Sequence, residues 1–468
     1  MNSHAYRISL AIATSLLAMP ALAAEKFGPL EVAGFLKDEY STCDTCSPGL
    51  QNPSSYDPRG VLNPPYPQVN QPSAFSGHSA ANLGLIQLSA ALTHEFDNAV
   101  SIEARVTGRM RNGTQDIPGR YLIDSYAGIT HPKWGSFKAG TITARSWSRS
   151  DAFAYPMGLS NAWALTGAGY GVFPKAVRYT TKQFETRYGK LSLEATYAVS
   201  GKQDPINNEF LQKTYAAAGT QIAEPAPRPK LLEIFAQFSN EKNLVELVVQ
   251  ASSGGLQSSF SQGSFVGAQG NTESLANSTI ATPGYQKPHE NVETLQGNYY
   301  YNERWRLAWG VRRNEWSGQQ QQCDFGFFKP APPAPALPYG CFYDQAGFNY
   351  ASDGGLHHAI EFDELLGLAY LRGMWAFTFG GVQMGKAYTH SPTEWGQSNR
   401  ATFLNLGIYR RVPEISEHLE VYGGLGRVMF WRPGPAPLSL PGNTAFTNAD
   451  PRVVRYSNTG TIGANFIF

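Results

Sequence analysis

Residues 451–468 read Pro-Arg-Val-Val-Arg-Tyr-Ser-Asn-Thr-Gly-Thr-Ile-Gly-Ala-Asn-Phe-Ile-Phe. Taken in twos, Val454, Tyr456, Asn458, Gly460, Ile462, Ala464, Phe466 and Phe468 share one face, and Arg455, Ser457, Thr459, Thr461, Gly463 and Asn465 share the other. Alternation with period two is the pattern of a strand with one apolar and one polar side, and a stretch of this length crosses a bilayer when tilted. An edge strand closing a soluble β-sandwich has the same alternation. The aromatic that terminates the apolar face favours the membrane strand.

The bulk composition agrees. Charged residues make up 16% of the 468 residues, below the roughly 25% of ordinary soluble domains. A formal net charge of +1 argues against a nucleic-acid partner held by bulk electrostatics. At the start of the chain, Arg7 precedes the apolar run 8–18, and Ala21-Leu22-Ala23 supplies a small-residue cleavage site. Residues 1–23 are therefore expected to be a secretory signal peptide, leaving 24–468 as one exported domain. Leu365 to Val382 is the one later stretch long and apolar enough to suggest a helical span, but Arg372-Gly373 divides it into two strands and a tight turn. An exported chain without a spanning helix is either soluble or a β-barrel.

Alternating segments come in pairs joined by short polar turns. Leu83 to Glu95 and Val100 to Arg111 flank Asp97-Asn98; Tyr121 to Thr130 and Phe137 to Arg145 flank 132–135; Lys175 to Lys182 precedes Lys190 to Ser200. Lys230 to Phe238 and Leu244 to Ala251 turn at Asn240-Glu241, Val292 to Tyr301 and Trp305 to Asn314 at Asn302-Glu303, His357 to Tyr370 and Met374 to Tyr388 at Arg372-Gly373, and Thr402 to Arg410 and Leu419 to Trp431 around Pro413. With Leu30 to Tyr40 and the last strand, the count is about sixteen, an even number. Between the pairs lie longer stretches rich in Pro, Gly, Ser, Asn and Gln. Short turns at one end and long loops at the other are a barrel property that a sandwich has no reason to share. The expected fold is all-β, a transmembrane antiparallel barrel.

Arg120-Tyr-Leu-Ile-Asp-Ser-Tyr-Ala-Gly-Ile, then Trp134-Gly-Ser-Phe-Lys-Ala-Gly, then Lys175-Ala-Val-Arg-Tyr-Thr-Thr resembles the run in Gram-negative general porins where two strands lead into a long third loop and a strand of the form Ser-Val-Arg-Tyr follows. The terminal Phe468 likewise matches the closing strand of bacterial outer-membrane barrels. The resemblance covers nearly the whole chain and implies a sixteen-stranded, homotrimeric channel in the outer membrane, in contact with lipid and lipopolysaccharide, that passes small hydrophilic solutes. It also implies that Ser146 to Phe173 folds inward to narrow the pore. This sequence departs from the family in two places. The second loop, Asn112 to Gly119, is short, and the third carries only Asp151 as an acid, beside Arg149.

A lumen charge costs little in a water-filled pore, whereas the same charge facing lipid costs about 2–4 kcal/mol near the midplane. The polar phase of the strands therefore nominates Glu103, Arg105, Arg109, Arg111, Asp124, Arg178, Glu194, Arg306 and Arg312 as pore-lining, with Arg145, Arg149 and Asp151 at the entrance of the third loop. Basic residues outnumber acidic ones in this set, which predicts weak anion preference. Arginines stacked along the wall without touching the permeation path fit the same pattern.

Four cysteines in an oxidising compartment are disulfide candidates: Cys43, Cys46, Cys323 and Cys341. Cys323 and Cys341 bracket a Pro-rich loop. Cys43-Asp-Thr-Cys46 is followed by Ser47, not His, which removes the haem-attachment motif, and no second Cys-x-x-Cys completes a zinc site. The expectation is no cofactor, no metal and no enzyme, since neither His-Glu-x-x-His nor Gly-x-Ser-x-Gly occurs. The alternative function is a barrel acting as scaffold or sheath for an electron-transfer or adhesion partner.

Overall fold

The turns at one end of the molecule set its architecture, and three share one device. Asn98 Oδ1 accepts from the Val100 N–H at 3.1 Å, Asn240 Oδ1 from the Asn243 N–H at 2.8 Å, and Asn302 Oδ1 from the Trp305 N–H at 2.9 Å. In each, an asparagine side chain takes the place of a backbone acceptor and reverses the chain within a few residues. These are the polar pairs Asp97-Asn98, Asn240-Glu241 and Asn302-Glu303.

A computed structural model describes residues 25–43, 79–111, 114–115, 122–146, 148–149, 172–199, 230–253, 289–317, 322–324, 340–342, 358–384, 401–430 and 456–468. Sixteen long strands follow in chain order: β1 (Leu30–Cys43), β2 (Ser79–Glu95), β3 (Ser101–Arg111), β4 (Leu122–His131), β5 (Gly135–Thr143), β6 (Val172–Thr180), β7 (Gly189–Val199), β8 (Lys230–Ser239), β9 (Asn243–Ser253), β10 (His289–Tyr300), β11 (Trp305–Ser317), β12 (His358–Arg372), β13 (Trp375–Met384), β14 (Ala401–Arg411), β15 (Leu419–Phe430) and β16 (Tyr456–Ile467). Each pairs antiparallel with the next, and β16 returns to β1 in register Phe35↔Ile467 through Cys43↔Thr459. Two backbone bonds lock the seam: the Gly34 N–H donates to the Phe468 carbonyl at 2.7 Å, and the Phe468 N–H to the Gly34 carbonyl at 3.0 Å. The sheet is a closed barrel without free edges.

Burial follows the pleat. On the outer phase Ile102, Val106, Leu193, Leu232, Leu247, Leu295, Val311, Leu366, Leu404 and Ile462 are exposed, while the opposite phase buries polar Thr107, Glu194, Glu233, Glu246, Thr294, Gln296, Arg312 and Asn405 together with apolar Leu231, Val248, Leu365 and Phe403. Beside the short turns the outer surface is aromatic, with Phe96, Trp134, Tyr188, Tyr301, Trp305 and Trp375 all exposed. An apolar outer band with an aromatic girdle is the surface that a bilayer and its interface solvate.

Strand β5 ends at Thr143, two residues before the expected Arg145, and Arg145 instead lies in a helical turn in which the Ser148 N–H donates to the Ala144 carbonyl at 2.9 Å. The strand is bent first. The β5–β6 register shifts between Gly140 and Ile142, and Gly140 has φ +142°. A Cβ there would meet the Ser125 carbonyl oxygen at 2.3 Å and Tyr126 Cα at 2.7 Å. Gly140→Ala is expected to cost about 1–3 kcal/mol, from backbone strain and overpacking, read as a lower urea midpoint for the folded barrel. A midpoint equal to the parent's would show that the bend tolerates a side chain.

Outside the barrel wall, Gln322–Asp324 and Gly340–Phe342 form a two-stranded ladder that places Cys323 directly opposite Cys341. Residues 1–23, expected to be a signal peptide, together with Cys46, Asp151 and most of the expected inward loop, lie outside the described residues.

Candidate functional site

The densest charge cluster on the inner face begins with β6 to β9. Val177, Leu193, Leu232 and Leu247 point outward, so Arg178, Glu194, Glu233 and Glu246 point in. Side chains on this face bond directly across neighbouring and next-neighbouring strands. Arg178 Nε donates to Thr196 Oγ1 at 2.7 Å, Thr180 Oγ1 to Glu194 Oε2 at 2.9 Å, and Arg178 Nη2 approaches Glu233 Oε1 at 3.4 Å.

The helical turn after β5 plugs into this wall. Arg145 binds Glu194 through two parallel bonds, Nε to Oε1 at 2.5 Å and Nη2 to Oε2 at 2.6 Å. The backbone N–H groups of Arg145 and Ser146 donate to the two oxygens of Glu233 at 2.8 and 3.1 Å. A carboxylate here accepts the orphan donors of the turn's first residues, as a cap does at a helix start. Gln250 Nε2 joins Ser146 Oγ and Glu233 Oε2, both at 3.0 Å. One turn further, Arg149 Nε donates to Glu246 Oε1 at 2.7 Å, and Gln237 and Gln296 also donate to Glu246, at 2.7 and 2.9 Å. The Arg145 and Arg149 guanidiniums lie over the Phe235 ring at 5.4 and 6.0 Å. The segment that leaves β5 therefore starts by crossing inward, held by three arginines against three glutamates.

A second group lies on β2 to β5. Arg105 Nε donates to Glu103 Oε1 at 2.8 Å, Lys138 Nζ is 3.4 Å from the same carboxylate, and Tyr126 Oη donates to it at 3.2 Å. Glu103 thus faces two cations. Arg109 Nη1 reaches Gln87 Oε1 at 3.4 Å, with its guanidinium 6.0 Å from the Phe35 ring. Asp124 Oδ1 accepts the Thr143 N–H at 2.7 Å and so fixes the end of β5. On β10 to β12, Arg306 Nε donates to Asn298 Oδ1 at 3.1 Å, and Asn314 Nδ2 to Asp363 Oδ2 at 3.0 Å. Near the seam, Tyr422 Oη donates to Glu39 Oε2 at 2.7 Å and Lys37 Nζ lies 3.2 Å from that carboxylate.

Of the residues nominated from the sequence, Arg145, Arg149, Arg178 and Glu194 come together in one cluster and Glu103 pairs with Arg105, whereas Arg306 and Arg312 occupy β11. Arg111 ends β3. Sequence reasoning passed over Lys37, Glu39, Lys138, Glu233, Glu246, Gln250 and Asp363, which all lie on the inner face. The signal was present, because Glu233 falls between Leu232 and Ile234 and Glu246 between Val245 and Leu247. The same period-two reading applied to β8 and β9 would have found both. Their presence makes the arginine-weighted picture of the wall less one-sided.

A closed antiparallel barrel, apolar outside and ionic within, is a transmembrane barrel of the outer-membrane type. Known structures narrow this to the porin fold. The chain is similar to the anion-selective porin from Comamonas acidovorans, at TM-score 0.53 and 10% identity over 94% of this chain and 99% of that one. It is also similar to OmpT, an outer-membrane protein of Vibrio cholerae in a trimer form, at TM-score 0.50 and 11% identity over 95% and 100% of the two chains. The chain thus has the sixteen-stranded porin fold. No family model and no curated protein matches the sequence. Among the described residues no group of three His, Cys, Asp or Glu side chains is placed to hold a metal ion.

Proposed function

We propose that this protein is an outer-membrane porin, a water-filled channel for passive diffusion of small hydrophilic solutes and ions, with weak anion preference. The observation that carries the proposal is the inversion of polarity across one wall: apolar side chains outside and ionised ones inside on the same strands. Such an inner face is affordable only beside water. The anion preference draws on what remains after pairing. Arg145, Arg149 and Arg178 are matched by Glu194, Glu233 and Glu246, but Glu103 faces both Arg105 and Lys138, and among the described residues Arg306 meets only neutral partners, Asn298 and the Tyr300 ring. A net positive wall lowers the barrier to anions by the Coulomb term.

Export through the signal peptide, contact with lipid and lipopolysaccharide, and assembly as a homotrimer belong to the same proposal. The trimer form of the Vibrio OmpT barrel favours the last. A disulfide between Cys323 and Cys341 is supported by their opposed positions in the ladder.

Single-channel recording in a planar bilayer under a salt gradient tests this reading. Steady ohmic steps are expected, with a zero-current potential displaced toward anions, and a folded barrel that never conducts would refute the channel. Replacing Arg105 and Arg109 together with serine is expected to move the zero-current potential toward cations. No movement would remove both residues from the permeation path.

A further inference from the structure

The lumen-side contacts of β10 and β11 leave one group of donors unanswered. Arg306 is 2% exposed, and among the described residues its Nη1 and Nη2 have no hydrogen-bond partner. Asn298, 1% exposed, spends its Oδ1 on Arg306 Nε and leaves its Nδ2 without a partner. The Tyr300 hydroxyl is buried and unpartnered as well. Tyr300 stands directly across the ladder from Arg306, with the guanidinium 5.4 Å from the ring centroid, and Asn298 is the next inward residue along β10. Three side chains thus hold four polar atoms with donor hydrogens and no acceptor. Buried donors are ordinarily satisfied, so such a group calls for an acceptor that the described residues do not supply.

The Glu246 carboxylate, which acts electrostatically on Tyr300, does not fill the role. Both oxygens of Glu246 are engaged, Oε1 by Arg149 and Gln237 and Oε2 by Gln296. Arg149 balances Glu246, so Arg306 contributes an unbalanced positive charge. Because Nε is already used, the two terminal nitrogens form the open end of the fork, the geometry that receives two oxygens of a planar or tetrahedral oxyanion in parallel.

We propose that Arg306, Asn298 and Tyr300 form a binding site for a small oxyanion, the carboxylate or phosphate group of a solute in the lumen. Arg306 receives two oxygens on its fork, and the Asn298 amide and Tyr300 hydroxyl donate from the side. The site is distinct from the cluster around Glu233 that holds the inward turn. It deepens the channel reading and rests on it only in placing the site on a solute path.

Calorimetric titration of the folded, heat-modifiable barrel in detergent, with sodium formate, sodium phosphate and sodium chloride as probes, tests the site. Saturable binding of formate or phosphate, with chloride at least about tenfold weaker, is expected. Arg306→Lys keeps the charge but loses the fork and is expected to weaken oxyanion binding about tenfold; Tyr300→Phe weakens it about threefold to tenfold. Absence of saturable binding, binding unchanged in Arg306→Lys, or chloride binding equal to formate would each overturn the site. A barrel that binds but does not conduct overturns the channel and leaves the site standing, and one that conducts without binding does the reverse.

Discussion

Replacing Glu233 with alanine is expected to destabilise the barrel by about 3–5 kcal/mol, the range for removing one partner of a buried ion pair. Four groups lose an acceptor at once: the Arg178 guanidinium, the Gln250 amide and the backbone N–H groups of Arg145 and Ser146. The site is 1% exposed, so water cannot readily take the place of the carboxylate. The loss has a second reading besides stability. Without Glu233 the inward turn keeps its side-chain bonds to Glu194 and Glu246 but loses the grip on its backbone. Single-channel records should then show noisier current or multiple conductance levels. Glu233→Gln keeps one acceptor oxygen and should retain part of the stability. Urea unfolding that leaves Glu233→Ala equal to the parent, together with quiet single-level current, would mean that the turn is held elsewhere.

Leu366→Lys should cost about 2–4 kcal/mol in lipid, because its side chain points outward near the middle of β12 at 61% exposure. Water tolerates such a change: an exposed residue of a soluble protein moves stability by about 0.5 kcal/mol or less. The measurement is therefore the unfolding free energy of the variant in liposomes against the parent. A cost near zero would mean that this face does not meet hydrocarbon, and the membrane reading of the outer surface would fail with it. Its neighbour Leu365 is 3% exposed and faces the other way, so the same substitution one residue earlier tests a different environment.

Nearly all of the wall was legible in the sequence. Strand phase is set by a local rule, that successive side chains point to opposite faces, and one apolar and one ionic solvent make that rule visible at almost every strand. Trp305, Leu307, Trp309 and Val311 against Arg306, Ala308, Gly310 and Arg312 could be sorted without coordinates, and β11 has that sorting. The turns were legible because asparagine at a reversal has a mechanical reason to be there. What sequence could not supply was partnership. Arg145 and Glu194 are 49 residues apart and Arg149 and Glu246 are 97 apart, and no periodicity links positions on different strands. The same holds for Arg306, whose inward phase was readable but whose meeting with Tyr300 and Asn298 depended on the β10–β11 register. Glu233 and Glu246 obey the same local rule as the other inward charges, since each stands between two apolar residues of the outer phase.

The seam between β1 and β16 has a consequence for how the chain reaches this state. Its contacts join residues separated by almost the whole polypeptide, as when Thr42 bonds to the Gly460 carbonyl across 418 positions, and beside it Tyr422 of β15 meets Glu39 across 383. Contacts so remote in sequence carry a large closure entropy and make for slow folding. Until β16 arrives, β1 and β15 each present an unpaired ladder, the surface on which chains add to one another. Without β16 in place the sheet is open, with two adhesive margins, and pairing of that strand with both β1 and β15 is what closes it toward its own copies. A shielding factor that occupies those margins during assembly would protect this chain at the stage when it is most exposed.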